Sequence, residues 1–496
     1  MASASCQPLN SLHHSGLSLP IWSYPNSTMA MKPFNLDIIG QPPHLHIYTQ
    51  LCLCYSLADN PNADATRQSV VDTLAQGLKA LARRIPRLAG QIIHEPSTEP
   101  GNSGVYKIAS WRDAPPLLVR DLRGNPSAPT MQELRKRNFP MELLDEGIIA
   151  PYMTIPGGTA GANPDEPTAV FAVQLNHIEG GILVTFVGQH QVMDLVGQVQ
   201  LMKMLDKVCR GEDIPEAEVE VANRERDGVI PDLGDDEEEP REQLGRQTVK
   251  TPPAADMNAT QHDEEVEQVA WPAVWASFSF SGQSLAALKA AALETATSKR
   301  ISTDDTLTAF IFQSITRARY HRLRNDPSAT CTLGRAVDAR RYLKIPATYP
   351  GLLNNMVFHS HSIQETISTP LGVLASELRH EVDPATSRVG LYTRALAALL
   401  HRTPGKGSIS MGANINLSRD IMISSWASAG ADCYEMDFGM ELGVPAAVRR
   451  PVFVPVEGLG YLLPKHPSGE IPLVICLREE DMELLKGDEE WRRWTA

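Results

Sequence analysis

Gly180-Gly181-Ile182-Leu183-Val184-Thr185-Phe186-Val187-Gly188-Gln189-His190-Gln191-Val192-Met193-Asp194-Leu195-Val196-Gly197 is the stretch from which the rest of the chain is read. Ile182 to Val187 has the length and β-branched content of a buried strand. The run stops at Gly188, and His190 follows. Asp194 comes four residues later, and then Val196, Val199, Met202, Leu205 and Val208 fall at the spacing of an amphipathic helix. A histidine is thus held where a strand gives way to a helix. That is a rigid place with open space in front of it, as a general base requires.

Alone, the pattern decides little. In a chain with 14 histidines, about one H-x-x-x-D is expected by chance. The plainer reading is a strand-end histidine followed by an aspartate that caps a helix through backbone N–H groups.

Composition sets the limits. The chain has 496 residues, 42% hydrophobic and 21% charged, which suits a globular protein of more than one domain. A net charge of −14 argues against a general nucleic-acid binder. No apolar run approaches the ~18 residues of a spanning helix. Seven cysteines, at 6, 52, 54, 209, 331, 433 and 476, form an odd, scattered set without C-x-x-C. They read as reduced thiols of a cytoplasmic protein, with no zinc site and no metal implied.

Along the chain, residues 1–31 read as a disordered leader. Strands are expected over His46–Tyr55, Ala169–Leu175 and Ile182–Val187, and a helix over Val70–Arg83. Gly157 to Pro167 reads as a loop. Residues 211–265 carry Asp235-Asp236-Glu237-Glu238-Glu239 and several prolines. Such a segment buries too little apolar area to offset chain entropy, so it reads as a crossover linker, with an acidic interaction tail as the sharper alternative. Beyond it come a strand over Ala273–Phe280 and helices over Ser284–Thr297 and Thr306–Leu323. A strand is expected over Cys331–Val337, then a turn at Tyr349–Asn355. Helices follow over Leu371–Val382 and Val389–His401. The strands Ile421–Trp426 and 470–477 precede a charged terminal helix over Glu480–Trp491. The pattern gives an N-terminal lobe, 32–210, and a C-terminal lobe, 266–496.

The commoner catalytic signatures are missing. There is no G-x-S-x-G, no G-x(4)-G-K-[ST], no G-x-G-x-x-G after a strand and no H-E-x-x-H.

A second element changes the odds. Asp437-Phe438-Gly439-Met440-Glu441-Leu442-Gly443, downstream of H-x-x-x-D, resembles the D-F-G signature of the BAHD acyl-CoA-dependent acyltransferases. Further segments are similar to the fungal trichothecene 3-O-acetyltransferase group within that family. They include Val448-Arg449-Arg450-Pro451, Tyr461-Leu462-Leu463-Pro464-Lys465, Ser302-Thr303-Asp304-Asp305 and Arg335-Ala336-Val337-Asp338-Ala339-Arg340. The likeness spans about residues 34–495. It departs from the broader family at Met440, where Trp is usual, and at Gln189, where many members carry a second His.

The resemblance implies an α/β fold of two chloramphenicol-acetyltransferase-like lobes. Each is a mixed sheet flanked by helices, and the active site lies in the channel between them. It also implies transfer of an acyl group, most simply acetyl, from acyl-CoA to a hydroxyl of a terpenoid-like secondary metabolite. No other cofactor is called for, and two lobes completing one site permit a monomer. His190 is then the general base. Asp194 supports it structurally by pairing with Arg340. Trp426 is a candidate oxyanion donor, against a plain core role. Asp437 is structural. Lys299, Arg300, Ser302 and Thr303 are candidate coenzyme A contacts beside a helix N-terminus, against an ordinary capped helix. An N-acyltransferase of the same fold and a silent metabolite-binding protein are the competing readings. A peptide-synthetase condensation domain is disfavoured because no carrier domain accompanies the lobes.

Overall fold

In the strand Gly181–Gln189 every residue is buried, and it lies in the middle of a five-stranded sheet. The computed structural model describes residues 32–57, 62–156, 167–234, 236–249, 272–326 and 328–495. The expected leader 1–31, nearly all of the loop from 157 to 167, and the linker from 250 onward lie outside the described residues. Phe171–Ile178 pairs antiparallel with Gly181–Gln189 on one side, and Tyr48–Ser56 on the other. Between them the chain reverses at Gly180, whose φ of 73° favours glycine. A strand covered on both faces has no polar side to alternate with, which is why Ile182–Val187 is almost continuously apolar.

The order of this sheet is Ala447–Arg449, Tyr48–Ser56, Gly181–Gln189, Phe171–Ile178, Leu117–Asp121. Its last pair is parallel. A six-stranded mixed sheet runs Asn354–Ser362, Thr330–Asp338, Ile421–Ser425, Leu459–Leu462, Ile471–Arg478, Ala273–Phe280. A small third sheet holds Phe34–Asn35, Val105–Ala109, Gln91–Glu95 and Thr168–Ala169. Helices Ala63–Arg84 and Leu195–Cys209 pack on the N-terminal lobe. In the C-terminal lobe Thr303–Leu323 is buried on nearly every side, beneath Gly282–Leu293, Leu371–Val382 and Glu479–Gly487.

Four expectations need correction. Residues 211–249 are folded, not a featureless linker. Ile214, Val219 and Ala222 enter the N-terminal core, and Val229, Ile230 and Leu244 join C-terminal clusters. Glu237 pairs with Arg394 at 2.5 Å and Glu239 pairs with Arg402, so the acidic run meets arginines of the helix Val389–Arg402. Composition cannot reveal that partner. Secondly, the chain crosses back: Ala447–Arg449 joins the N-terminal sheet beside Cys52–Cys54. Thirdly, the charged terminal helix is two helices, Glu479–Gly487 and Glu489–Trp494. Asp488 caps the second by accepting from Trp491 N, and Trp491 is buried. Fourthly, Asn355 belongs to a strand and not to the turn before it. Its side chain is buried and accepts from Gln247 Nε2 at 2.7 Å.

Asp437-Phe438-Gly439 closes on the C-terminal end of the helix Leu195–Cys209. Phe438 N donates to Asp206 Oδ1 at 2.7 Å, and the Phe438 ring stacks on Phe186 with centroids 5.4 Å apart. Asp437 caps its own turn through Gly439 N and stands near Arg210. Met440 is buried and fills core space in the N-terminal cluster.

Candidate active site

The strand Gly181–Gln189 ends in a tight turn fixed by its own backbone. Val192 N and Met193 N donate to Gln189 O, and His190 N donates to Ile47 O. Gln189 is fully buried, and its Oε1 accepts from Gln191 N at 2.7 Å. An amide suits this position because it can accept from the turn it supports. His190 sits at the tip, half-buried. Its Nδ1 lies 3.2 Å from Met193 O. A carbonyl only accepts, so Nδ1 carries the proton and Nε2 keeps the lone pair. Thr49 Oγ1 is 3.5 Å from the same Nδ1. Burial pushes the imidazole below its ordinary pKa, only partly offset by the Met193 carbonyl and the Asp194 charge.

Asp194 performs both roles the sequence left open. It caps Leu195–Cys209, with Oδ1 accepting from Gly197 N at 2.8 Å. It also meets Arg340 through two parallel bonds, Nη1 to Oδ2 and Nη2 to Oδ1, each 2.9 Å. Leu353 N donates to Oδ2 at 2.8 Å. Asp194 is 3% and Arg340 1% exposed, so the pair is sealed from water. Arg340 spends its remaining N–H groups on Tyr349 O, Gly351 O and Asp338. Gly197 lies so close to the same loop that a Cβ there would come within 2.3 Å of Pro350 O. The carboxylate therefore points away from the imidazole's open side and ties its turn to the other lobe.

His190 lines a cavity of about 950 Å³ walled by both lobes. His44, Tyr48 and Lys203 come from the N-terminal side, and Arg335, Ser424 and Tyr461 from the C-terminal side. Its size is at the upper end for small-molecule sites. Burial and the neighbouring His190 lower the pKa of His44 to about 4, so a second neutral imidazole faces the same space. Arg335 is held by Asp304 at 3.0 Å, and Lys203 pairs with Asp432 at 2.8 Å.

Trp426 reaches this cavity, but its indole N–H is engaged. It donates to Ser424 Oγ at 3.0 Å, while the ring packs on Tyr461. Ser424, two residues earlier in the strand Ile421–Ser425, also lines the cavity, and Trp426 lies just past the end of that strand. Lys299, Arg300, Ser302 and Thr303 do not line the cavity. Ser302 caps the helix Thr303–Leu323 in a reciprocal box with Asp305, and Arg379 donates to its hydroxyl. Lys299 and Arg300 stand exposed just before that helix, whose Asp304 and Thr308 do line the cavity. Asp437 lies on the opposite end of the Leu195–Cys209 helix from His190, away from the cavity lining. Sequence reasoning missed Lys203, Ser424 and Tyr461, which reach one cavity from three separate elements. The Ser-x-Trp spacing at Ser424 and Trp426 was the only local signal.

Comparison with known proteins bears on this arrangement. The model of the trichothecene 3-O-acetyltransferase-like N-terminal domain matches residues 47–209, and that of the transferase family matches residues 158–491. Trichothecene 3-O-acetyltransferase TRI101 of Fusarium sporotrichioides is 44% identical over 463 residues, covering 93% of this chain and 96% of its own. O-acetyltransferase dmxR13 of Cryptosporiopsis sp. is 42% identical, covering 93% and 96%. The crystal structure of F. graminearum TRI101 complexed with coenzyme A and T-2 mycotoxin superposes with a TM-score of 0.84 at 40% identity. It covers 94% of this chain and 99% of that one.

The depressed imidazole sets a pH dependence. Burial disfavours the imidazolium, so the base form persists to lower pH than in a free histidine. Turnover should therefore fall only as pH drops below 6.5 and stay level above it. The check is kcat/KM for the acceptor against pH; an acid limb centred above that value would contradict the assignment of His190.

Proposed function

The chain belongs to the BAHD-type transferase family and its trichothecene 3-O-acetyltransferase-like group, and on that premise we propose how it works. It transfers an acyl group, acetyl in the simplest case, from acyl-CoA to a hydroxyl of a secondary metabolite. The observation that carries this reading is His190. It is a neutral imidazole with its Nε2 lone pair free, on a turn locked by Asp194 and Arg340, lining a cavity between two lobes.

An alcohol must lose its proton as it attacks a thioester. His190 Nε2 takes that proton while the new C–O bond forms. The carbonyl oxygen becomes an oxyanion, and the Ser424 hydroxyl donates to it. Trp426 orients Ser424 and polarises it through the indole N–H. When the oxyanion collapses, the C–S bond breaks and the imidazolium returns its proton to the departing thiolate. Asp194 and Arg340 are positioning residues and touch neither substrate. Asp437 acts only through the helix it helps to anchor.

Coenzyme A enters along the N-terminal turns of Thr303–Leu323. Its phosphates meet Lys299 and Arg300 at the surface, and its arm passes Thr308 toward His190. Ser302 and Thr303 shape that helix end, Ser302 as the cap. The acceptor occupies the rest of the cavity. The two lobes, 32–210 and 266–496, each give one wall, so a cytoplasmic monomer suffices. No helix among the described residues is long and apolar enough to cross a membrane.

Two expectations test this reading. His190→Ala should lower kcat by about 10²–10⁴-fold, and Ser424→Ala by about 10²-fold, in an assay of thiol release with acetyl-CoA and a trichothecene alcohol. A His190→Ala enzyme that keeps most of its turnover would end the general-base assignment. For coenzyme A, a Lys299→Ala/Arg300→Ala enzyme should show KM for acetyl-CoA raised about tenfold at unchanged kcat. An unmoved KM would send the phosphates elsewhere.

A further inference from the structure

Away from the cavity, two histidines and two glutamates meet across the open edge of the six-stranded sheet. His359 and His361 are two apart on the edge strand Asn354–Ser362, so they share a face. Glu377 and Glu381 are four apart on the helix Leu371–Val382, so they share another. Glu377 Oε2 lies 2.9 Å from His361 Nε2 and 3.3 Å from His359 Nε2. One donor atom from each of His359, His361 and Glu377 falls within 4.8 Å of the others. Donors bound to tetrahedral zinc at about 2.0–2.1 Å stand ~3.3 Å apart, so little movement is needed to gather these three on one ion.

The fourth residue supplies what such a ligand set needs. Glu381 Oε1 is 3.0 Å from His359 Nδ1. A carboxylate there keeps the proton on Nδ1 and turns the Nε2 lone pair toward the cluster, as outer-shell carboxylates do for zinc-bound histidines. That lone pair has no hydrogen bond, although His359 is only 8% exposed, and Glu381 Oε2 is likewise buried without a partner. His359 Nε2 therefore faces the Glu377 carboxylate at 3.3 Å, a spacing that one shared cation, a proton or a metal ion, would bridge.

We propose that His359, His361 and Glu377 bind one divalent transition-metal ion of the zinc class, with Glu381 orienting His359. Two imidazoles and one carboxylate form a nitrogen–oxygen set that suits zinc and not the all-oxygen preference of calcium or magnesium. None of the four residues lines the cavity of His190. The ion clips the edge strand to the helix that carries Arg379, which binds Asp305 and does line that cavity.

The test uses the tag-free full-length chain, stripped with a chelator and titrated with Zn²⁺ against a chromophoric competitor, with Co²⁺ as a spectroscopic probe. One equivalent should bind, give the visible bands of tetrahedral Co²⁺ and raise the melting temperature. His361→Ala and Glu377→Gln, at partly exposed positions, should abolish uptake while leaving the circular dichroism spectrum unchanged. Glu381→Gln should weaken it about 10–100-fold. No uptake by the wild-type chain would overturn the proposal and leave the cluster as protonated histidine–glutamate pairs. Equal uptake by wild type and variants would overturn it too, by moving the ion elsewhere.

Discussion

Arg340 and Asp194 form the joint of this molecule. The guanidinium has five N–H groups, and the contacts to Asp194, Asp338, Tyr349 O and Gly351 O use all five. The carboxylate has four acceptor positions, filled by two Arg340 nitrogens, Gly197 N and Leu353 N. A buried ion pair repays its desolvation only when satisfied this completely. The pair joins residues 146 positions apart in sequence, one from each lobe. The turn bearing His190 is thereby registered against the wall that bears Ser424 and Trp426.

The second signature serves the same end by another route. Asp194 caps the first turn of Leu195–Cys209, and Asp206 in its last turn receives Phe438 N. Both motifs thus fasten one helix, at opposite ends, although only the first lies near the cavity. The loop around Tyr349 to Leu353 is held from a third direction. Asp37 accepts from the Tyr349 hydroxyl and from Leu352 N, and it pairs with Arg226 at 2.8 Å. Arg226 comes from the folded part of the interlobe segment. That segment therefore braces the site as well as joining the lobes.

Much of the local architecture is legible in the sequence because its signals are short-range. The apolar run to Val187 and the helical spacing after Asp194 follow from backbone periodicity, although the strand itself continues through Gly188 to Gln189. The partnership of Asp194 with Arg340 came from the family resemblance, since no local pattern links two positions so far apart. Other features depend on which surfaces meet. Lys203, Ser424 and Tyr461 sit in unrelated elements and converge only in the fold. The acidic run around Glu237 looks unable to fold until Arg394 and Arg402 are set beside it. Trp426 is read from the resemblance as an oxyanion donor, but the turn that begins at the strand's end directs its N–H to Ser424, two residues back, and no sequence pattern gives that contact. His359 and Glu377 give no linear metal motif because a strand and a helix each provide half.

The most direct measurement is a double-mutant cycle on the joint itself. It combines Asp194→Ala, Arg340→Ala and the double variant, each measured for unfolding free energy and for kcat with acetyl-CoA. Each single change should cost about 3–5 kcal/mol, because it strands a buried charge. The double variant should lose little more than either single, and all three should lose turnover although His190 is intact. Additive losses, or an Asp194→Ala enzyme that is as stable and as active as the parent, would contradict the account.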